Sequence, residues 1–236
     1  MNIAIIGYGK MGKVIEQLAI ERGHTITAKI TSQESDFSPD LLKNSDVAIE
    51  FSIPSAAISN MNKCFDAGIP VVVGTTGWMD YFEQVSSTCK EKNGGLFYSS
   101  NFSVGVNIFF KVNQLLAKLM NGQPSYEISM EEIHHTQKLD SPSGTALTIA
   151  NQILENVDRK ESWIESNTPS STEIGITAKR IADTPGTHIV TYENDIDKIE
   201  ISHEAKGRKG FALGSILAAE FMVGKTGVFG MEDLLK

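Results

Sequence analysis

The stretch Asn2-Ile3-Ala4-Ile5-Ile6-Gly7-Tyr8-Gly9-Lys10-Met11-Gly12 decides the fold. Its first five residues are an almost unbroken apolar run of the kind buried on both faces of a parallel sheet. Gly7-x-Gly9-x-x-Gly12 follows at once, then a helical pattern through about Arg22, with Gly23 placed to end it. In a strand–turn–helix unit each glycine has its own task. The first permits the tight turn, the second lets the backbone approach a pyrophosphate, and the third lets helix and strand pack closely. The helix N-terminus adds N–H donors and a partial positive charge. The bland alternative is a glycine-rich turn that holds no nucleotide. The motif's position, near the start of a chain that continues as strand, helix and strand, weighs against it.

Outward from this turn, apolar strand-like runs at 26–30, 47–51, 71–73 and 96–98 alternate with helical patterns at 54–67 and 79–92. That alternation predicts a parallel sheet covered on both faces, an α/β domain of the Rossmann type. The character changes after Asn101. A long helix is expected at 104–120. An alternating strand follows at 126–133, with Tyr126, Ile128 and Met130 on one side, and then a helix at 143–156. Residues 158–172 read as polar loop. Three strand-like runs (174–182, 187–193 and 197–205) follow without helices between them. They predict a second, α+β domain with a mixed open sheet. Gly207-Arg208-Lys209-Gly210 is a hinge candidate, and the apolar helix expected at 211–223 can return to the first domain. The expected division is 1–103 with 209–236 for dinucleotide binding, and 104–208 for substrate binding.

The 236 residues are 41% hydrophobic and carry a net charge of −8. Nucleic acid is a poor partner for such a surface, since phosphate binding needs clustered Lys and Arg. Cys64 and Cys89 fit no metal or redox spacing and read as reduced thiols in a cytoplasmic protein. The chain enters its first strand with no basic leader, and no apolar run approaches the ~18 residues of a membrane span.

Cofactor type turns on the end of the second strand, Lys29-Ile30-Thr31-Ser32-Gln33-Glu34. An NAD site commonly carries an acid at that strand end, and none stands directly there. Lys29, Thr31 and Ser32 are positioned to accept a 2′-phosphate, and Lys10 is another cation near the phosphates. The reading leans to NADPH, or to use of both NADPH and NADH; a solvated Lys29 with no ligand is an equal alternative. Two more loops leave carboxyl ends of strands, where ligands bind in open α/β sheets: Phe51-Ser52-Ile53-Pro54 and Gly74-Thr75-Thr76-Gly77.

A second informative segment is Glu132-Ile133-His134-His135-Thr136-Gln137-Lys138-Leu139-Asp140-Ser141-Pro142-Ser143-Gly144-Thr145. If strand alternation persists, His134, Thr136 and Lys138 share the face of Ile128 and Met130, and His135 points away. Histidine suits a general acid because its ordinary pKa, ~6.5, lies near operating pH. Lys138 can hold a carboxylate. Pro142 and Ser143 are helix-start signals, so Gly144 and Thr145 would offer N–H groups, and Thr145 a hydroxyl, to a second one. One cation and one helix end fit a small dicarboxylate. A structural histidine pair is the competing reading. A metal site is another, but it needs a third ligand, and none is clearly placed.

Four motifs together resemble the 4-hydroxy-tetrahydrodipicolinate (dihydrodipicolinate) reductase family. They are Gly7 to Gly12, Gly74 to Gly77, Ser99-Ser100-Asn101-Phe102-Ser103-Val104-Gly105-Val106, and the segment through Thr145. The resemblance implies NAD(P)H-dependent reduction of a cyclic imine dicarboxylate in diaminopimelate and lysine biosynthesis. It also implies a homotetramer built through the second domain. By that resemblance His134 is the proton donor and Lys138 its catalytic companion, while His135, Gly144 and Thr145 bind substrate. Gly7, Tyr8, Gly9, Lys10, Met11, Gly12, Gly74, Thr75, Thr76, Ser99, Ser100, Asn101, Phe102 and Arg208 border the cofactor. No metal is implied. The chain departs from the pattern at Ser99-Ser100-Asn101-Phe102, where many relatives have Ala-Pro-Asn-Met, and at Thr136-Gln137, where many have a basic or polar pair. It also lacks the strand-two acid. The alternatives are another two-domain NAD(P)-dependent dehydrogenase and a non-catalytic dinucleotide sensor. His24, His188, His203, Trp78 and Trp163 receive no role.

Overall fold

The structure is a computed structural model and describes residues 1–34 and 36–236. It comprises two compact units, Met1–Val104 with Arg208–Lys236, and Gly105–Gly207.

The first unit is built on six parallel strands: β1 (Asn2–Ile6), β2 (Thr25–Ile30), β3 (Val47–Glu50), β4 (Val71–Val73), β5 (Gly95–Tyr98) and β11 (Gly227–Phe229). Their order is β11-β5-β4-β3-β1-β2. The longer helices of this unit are α1 (Lys10–Glu21), α2 (Pro54–Ala67), α3 (Phe82–Glu91) and α6 (Lys209–Met222). The continuous apolar runs are explained by burial on both faces. Ile3, Ile5, Val47, Ile49 and Val72 meet residues of α1 and α6. Their neighbours Ala4, Ile6, Ala48, Val71 and Val73 meet residues of α2 and α3. Each fully buried aliphatic side chain contributes roughly 1.5–3 kcal/mol, so this double layer dominates the unit's stability. α6 joins the first unit, as its apolar sequence suggests. β11 and the short α7 (Met231–Leu234) were not apparent in the sequence. Three residues are too few for a periodicity, and β11 is a strand because it adds to β5.

In the second unit, α4 (Val104–Asn121) and α5 (Gly144–Leu154) contribute residues to one apolar cluster. The cluster also includes residues of β6 (Glu127–His134), β8 (Glu173–Arg180) and β9 (Thr187–Glu193). With β7 (Ser162–Ile164) and β10 (Lys198–Glu204) the sheet runs β10-β9-β6-β8-β7. It is mixed: β6 pairs antiparallel with β9 and parallel with β8. The loop expected at 158–172 is corrected, since it contains β7. Lys160, only 4% exposed, organises this segment: its Nζ donates to the carbonyls of Ser171 (2.8 Å) and Glu173 (3.0 Å) and to Glu127 (3.1 Å).

Candidate active site

The glycine turn obeys steric demands that its sequence only implies. Gly7 has φ +94° and donates its N–H to Ile30 O at 2.9 Å. A Cβ there would lie 2.1 Å from the Phe51 carbonyl oxygen, and one on Gly12 would lie 2.5 Å from that of Gly7. Gly9 is different: a Cβ would meet nothing within 4 Å, and no side chain caps the helix that begins after it. The backbone is therefore packed on one side and open where an anion would approach. A cavity of about 480 Å³ opens here, bordered by Gly7, Tyr8, Gly9, Thr31, Ser32 and Asn60. It lies beyond the carboxyl ends of β1, β2 and β3, where the strand order reverses and ligands bind in such sheets. A second, of about 450 Å³, runs along Lys10, Met11, Ser52, Gly74, Thr75 and Thr76. The open Gly9 and the uncapped helix fit the pyrophosphate of a dinucleotide.

The neighbouring loops are tied to one another. Ser52 N donates to Thr75 Oγ1 at 2.8 Å, and the buried Trp78 donates its Nε1–H to Thr75 O at 2.8 Å. Trp78 thus holds the Gly74–Thr76 loop. Beneath Ser52 lies Glu50, fully buried, which accepts from Ser52 Oγ and from Asn60 Nδ2 (3.1 Å). Burial raises its pKa. Ser99 and Ser100 border a smaller cavity with Thr75 and Thr76. Ser99 Oγ donates to Asn101 O at 2.8 Å, and Asn101 Oδ1 accepts from Ser103 N at 2.9 Å. The Phe102 side chain does not border this space. It is 2% exposed and stacks in the core against Phe51 and Phe97, which makes it a support for the Phe51 loop. Arg208 is exposed and immediately precedes α6.

At the end of β2 the structure differs from the sequence expectation. Lys29 is paired with Glu16 of α1 and lies over the Tyr8 ring, 5.2 Å from its centroid. An acid does reach this strand end. A short 3-10 turn at Ser32–Glu34 brings the Glu34 carboxylate back to accept from Thr31 N at 3.1 Å and Thr31 Oγ1 at 3.2 Å.

The second unit holds a buried charged cluster. On β6 the residues Ile128, Met130, Glu132 and His134 all face inward. Glu132 is 0% exposed and His134 8%. Both Glu132 oxygens lie 3.1 Å from Ser143 N, and Arg180 Nη2 donates to Oε1 at 3.1 Å. Oε2 is 3.2 Å from His134 Nδ1 and 3.8 Å from His188 Nε2. The first is a close approach that does not meet hydrogen-bond geometry. His188 Nε2 is 3.1 Å from Ser143 Oγ, and its ring meets that of His134 edge-on at 5.1 Å. Burial alone would raise the pKa of Glu132, but its contacts with His134 and Ser143 outweigh that and hold it at about 2. Burial first, and then the neighbouring His134, push His188 down to about 4.

The alternation does not persist beyond His134. β6 ends there, and a turn in which Lys138 N donates to His135 O (3.1 Å) replaces it. Lys138 Nζ lies 2.8 Å from both oxygens of Asp140, so its cation is held by its own loop. That contact lowers the Asp140 pKa. His135 is half-buried, with Nδ1 enclosed and unpaired. Ser143 caps α5, its Oγ accepting from Ala146 N at 3.2 Å, so Gly144 and Thr145 form the first turn. Glu132, Arg180 and His188 are the residues to which sequence reasoning gave no role; Ser143, expected as a helix start, also gives its N–H to Glu132. Strand parity with Met130 and His134 was a signal for Glu132. The third metal ligand that the sequence did not place also appears: donor atoms of Glu132, His134 and His188 lie within 4.8 Å of one another. Those of Glu132 and His188 already bond Ser143, and Glu132 also bonds Arg180, a cation that disfavours a second one beside it.

Comparison with known proteins supplies the context. A family model described as the N-terminus of dihydrodipicolinate reductase matches residues 1–102, and one for its C-terminus matches residues 105–235. The 4-hydroxy-tetrahydrodipicolinate reductase of Christiangramia forsetii is 50% identical over 235 residues, covering 100% of this chain and 98% of its own. That of Neisseria meningitidis serogroup B is 33% identical, covering 100% and 97%. Among solved structures, a dipicolinate-bound dihydrodipicolinate reductase from Paenisporosarcina sp. TG-14 shares the fold at a TM-score of 0.79 and 18% identity, covering 99% of this chain and 98% of its own. With both family models matched end to end and a relative of this likeness over its full length, the chain belongs to the dihydrodipicolinate reductase family.

Proposed function

We propose that the protein reduces 4-hydroxy-tetrahydrodipicolinate to tetrahydrodipicolinate with a nicotinamide dinucleotide, and that His134 is the proton donor. The observation that carries the assignment of His134 is the buried carboxylate of Glu132 3.2 Å from its Nδ1, one helix start away from Gly144 and Thr145. A histidine backed by a carboxylate on one nitrogen keeps the other for proton transfer. Once the hydroxylated ring has lost water, a reduced cofactor bound over Gly7–Gly12 would supply a hydride to a ring carbon of the resulting unsaturated dicarboxylate. His134 then delivers a proton to the resulting carbanion or enamine, a contribution worth about 10²–10⁴-fold. Lys138 holds one substrate carboxylate after exchanging Asp140 for it. The N–H groups of Gly144 and Thr145, with His135, hold the other. The sensor and other-dehydrogenase readings have less support, because the family match extends over the second unit as well as the first.

For the cofactor, Glu34 at the end of β2 favours an unphosphorylated ribose, since its carboxylate would repel a 2′-phosphate. Lys29, neutralised by Glu16, offers that phosphate little. NADH is therefore the inferred preference, against the expectation from the sequence. Self-association is supported by α4, whose Ile108, Val112, Leu115 and Leu119 are 42–66% exposed along one stripe.

The test is loss of absorbance at 340 nm with freshly generated substrate. His134→Gln should lower kcat by about 10²-fold or more with little change in cofactor affinity. A variant with near-normal kcat removes His134 from the mechanism. KM for both cofactors in wild type, Glu34→Gln and Lys29→Ala tests the preference. NADPH preference lost in Lys29→Ala would reverse the assignment.

A further inference from the structure

We propose that Glu132 is a positioning residue for the reductase, acting through His134. One buried carboxylate orients the acid's ring and anchors the start of α5, so that proton donor and anion-binding helix end keep a common frame. The inference rests on the reading of His134 as proton donor and deepens it.

The geometry is unusual for a structural carboxylate. Glu132 lies on the core face of β6, completely buried, where an acidic side chain is rare unless paired. Its partners come from four elements: Arg180 at the end of β8 (3.1 Å), His188 of β9 (3.8 Å), Ser143 N at the start of α5 (3.1 Å) and His134 two residues along its own strand (3.2 Å). A carboxylate at Nδ1 favours the tautomer with its proton there and stabilises the imidazolium that the acid must become before it donates. The opposite edge of the ring is left for donation. His134 Nε2 faces Gly186, where even a Cβ would come within 3.0 Å. The charged or titratable groups around His134 are Glu132 on its own strand, Arg180 from β8, His188 from β9, Lys138 and Asp140 from the following loop, and His203 of β10, which acts on His188.

Removing the negative charge leaves His134 near Arg180 with no compensating anion, so its proton should be lost at lower pH. The experiment is Glu132→Gln, which preserves shape and one carbonyl acceptor. Substrate KM and kcat are measured as functions of pH, beside His134→Gln and the double variant. We expect kcat to fall by at least about tenfold, because the carboxylate that sets the ring's tautomer and orientation is lost, with substrate KM little changed. The basic limb of the kcat/KM profile should move down by about one pH unit or more. The double variant should be no slower than His134→Gln, because both changes act through one group. A limb that stays in place, or a double variant slower by the product of the single effects, overturns the proposal while the assignment of His134 stands. Normal kcat in His134→Gln overturns the assignment itself. Should Glu132→Gln not fold, ¹⁵N-histidine NMR of the wild-type protein decides: neutral His134 protonated at Nδ1 supports the proposal, and protonation at Nε2 overturns it.

Discussion

His188 should make the second unit sensitive to mild acid. It is 5% exposed, its Nε2 lies 3.1 Å from Ser143 Oγ, and its pKa falls from 6.5 to about 4. A histidine with a depressed folded-state pKa is neutral in the fold and protonated in the unfolded chain throughout that interval. The unfolded state then binds more protons, so stability rises with pH. The contribution is complete above 6.5 and lost as pH falls toward 4. At 1.36 kcal/mol per pH unit the interval corresponds to about 3 kcal/mol, a large share of the ~5–15 kcal/mol that holds a domain together. Glu132, held at about 2 against an ordinary 4.5, acts in the same direction lower down, losing its contribution as pH falls through that range. Because the chain forms two units, the probe should report the second one. Amide hydrogen exchange in β6 and β9, followed from pH 7.5 to 4.5, is suitable. Protection in the wild type should weaken steeply across this range. In His188→Gln it should begin lower at neutral pH, by about 1 kcal/mol for a weakened hydrogen bond, and then fall less steeply, the remaining slope coming from His203, whose pKa burial also lowers. Equal slopes in the two proteins would refute the reasoning, since only the titration of His188 separates them.

Other expectations are more local. Gly12→Ala places a methyl 2.5 Å from Gly7 O. It should cost about 1–3 kcal/mol by overpacking and weaken binding of the nicotinamide dinucleotide, read by thermal unfolding and by fluorescence titration. Gly186→Ala combines a φ of +153° with a Cβ 3.0 Å from His134 Nε2. We expect kcat to drop about tenfold or more through misplacement of the ring, with cofactor KM unchanged in the 340 nm assay. Glu50 has a raised pKa in the fold, so its stability contribution is present below the unfolded-state pKa and lost as pH rises through the folded one. Glu50→Gln should therefore gain in Tm over wild type as pH rises above the ordinary carboxylate range, by about 2–4 °C per kcal/mol for a chain of this size. Leu115→Glu with Leu119→Glu should lower the oligomeric mass in light scattering if the exposed α4 stripe joins copies of the chain.

The first unit was legible because its information is local. A continuous apolar run, three glycines at fixed spacing and alternating helices are properties of neighbours in the chain. The same holds for β6 and for the cap at Ser143. At the end of β2 the charges depend on more than the strand itself. Lys29 has the right charge in the right place, but its partner Glu16 comes from α1, and Glu34 reaches Thr31 only through a short turn.

The buried cluster lay beyond local reading because it is a product of strand register. Glu132 stands directly opposite His188 in the antiparallel pair of β6 and β9, and His134 opposite Arg180 in the parallel pair of β6 and β8. Directly opposed residues in an antiparallel pair share a face, so those two pairings gather one carboxylate, two histidines and a guanidinium in one place. A shift of one residue in either pairing would send half of them to the other face. The register is set by the apolar residues on the same strands: Met130 opposite Ile176 and Val190, and Ile128 opposite Tyr192. Hydrophobic packing therefore determines which charges meet, and the charges it brings together are those that surround His134, the proposed proton donor. A substitution such as Ile176→Asn would disturb the acid without touching it, by relaxing the pairing that presents Arg180 to Glu132.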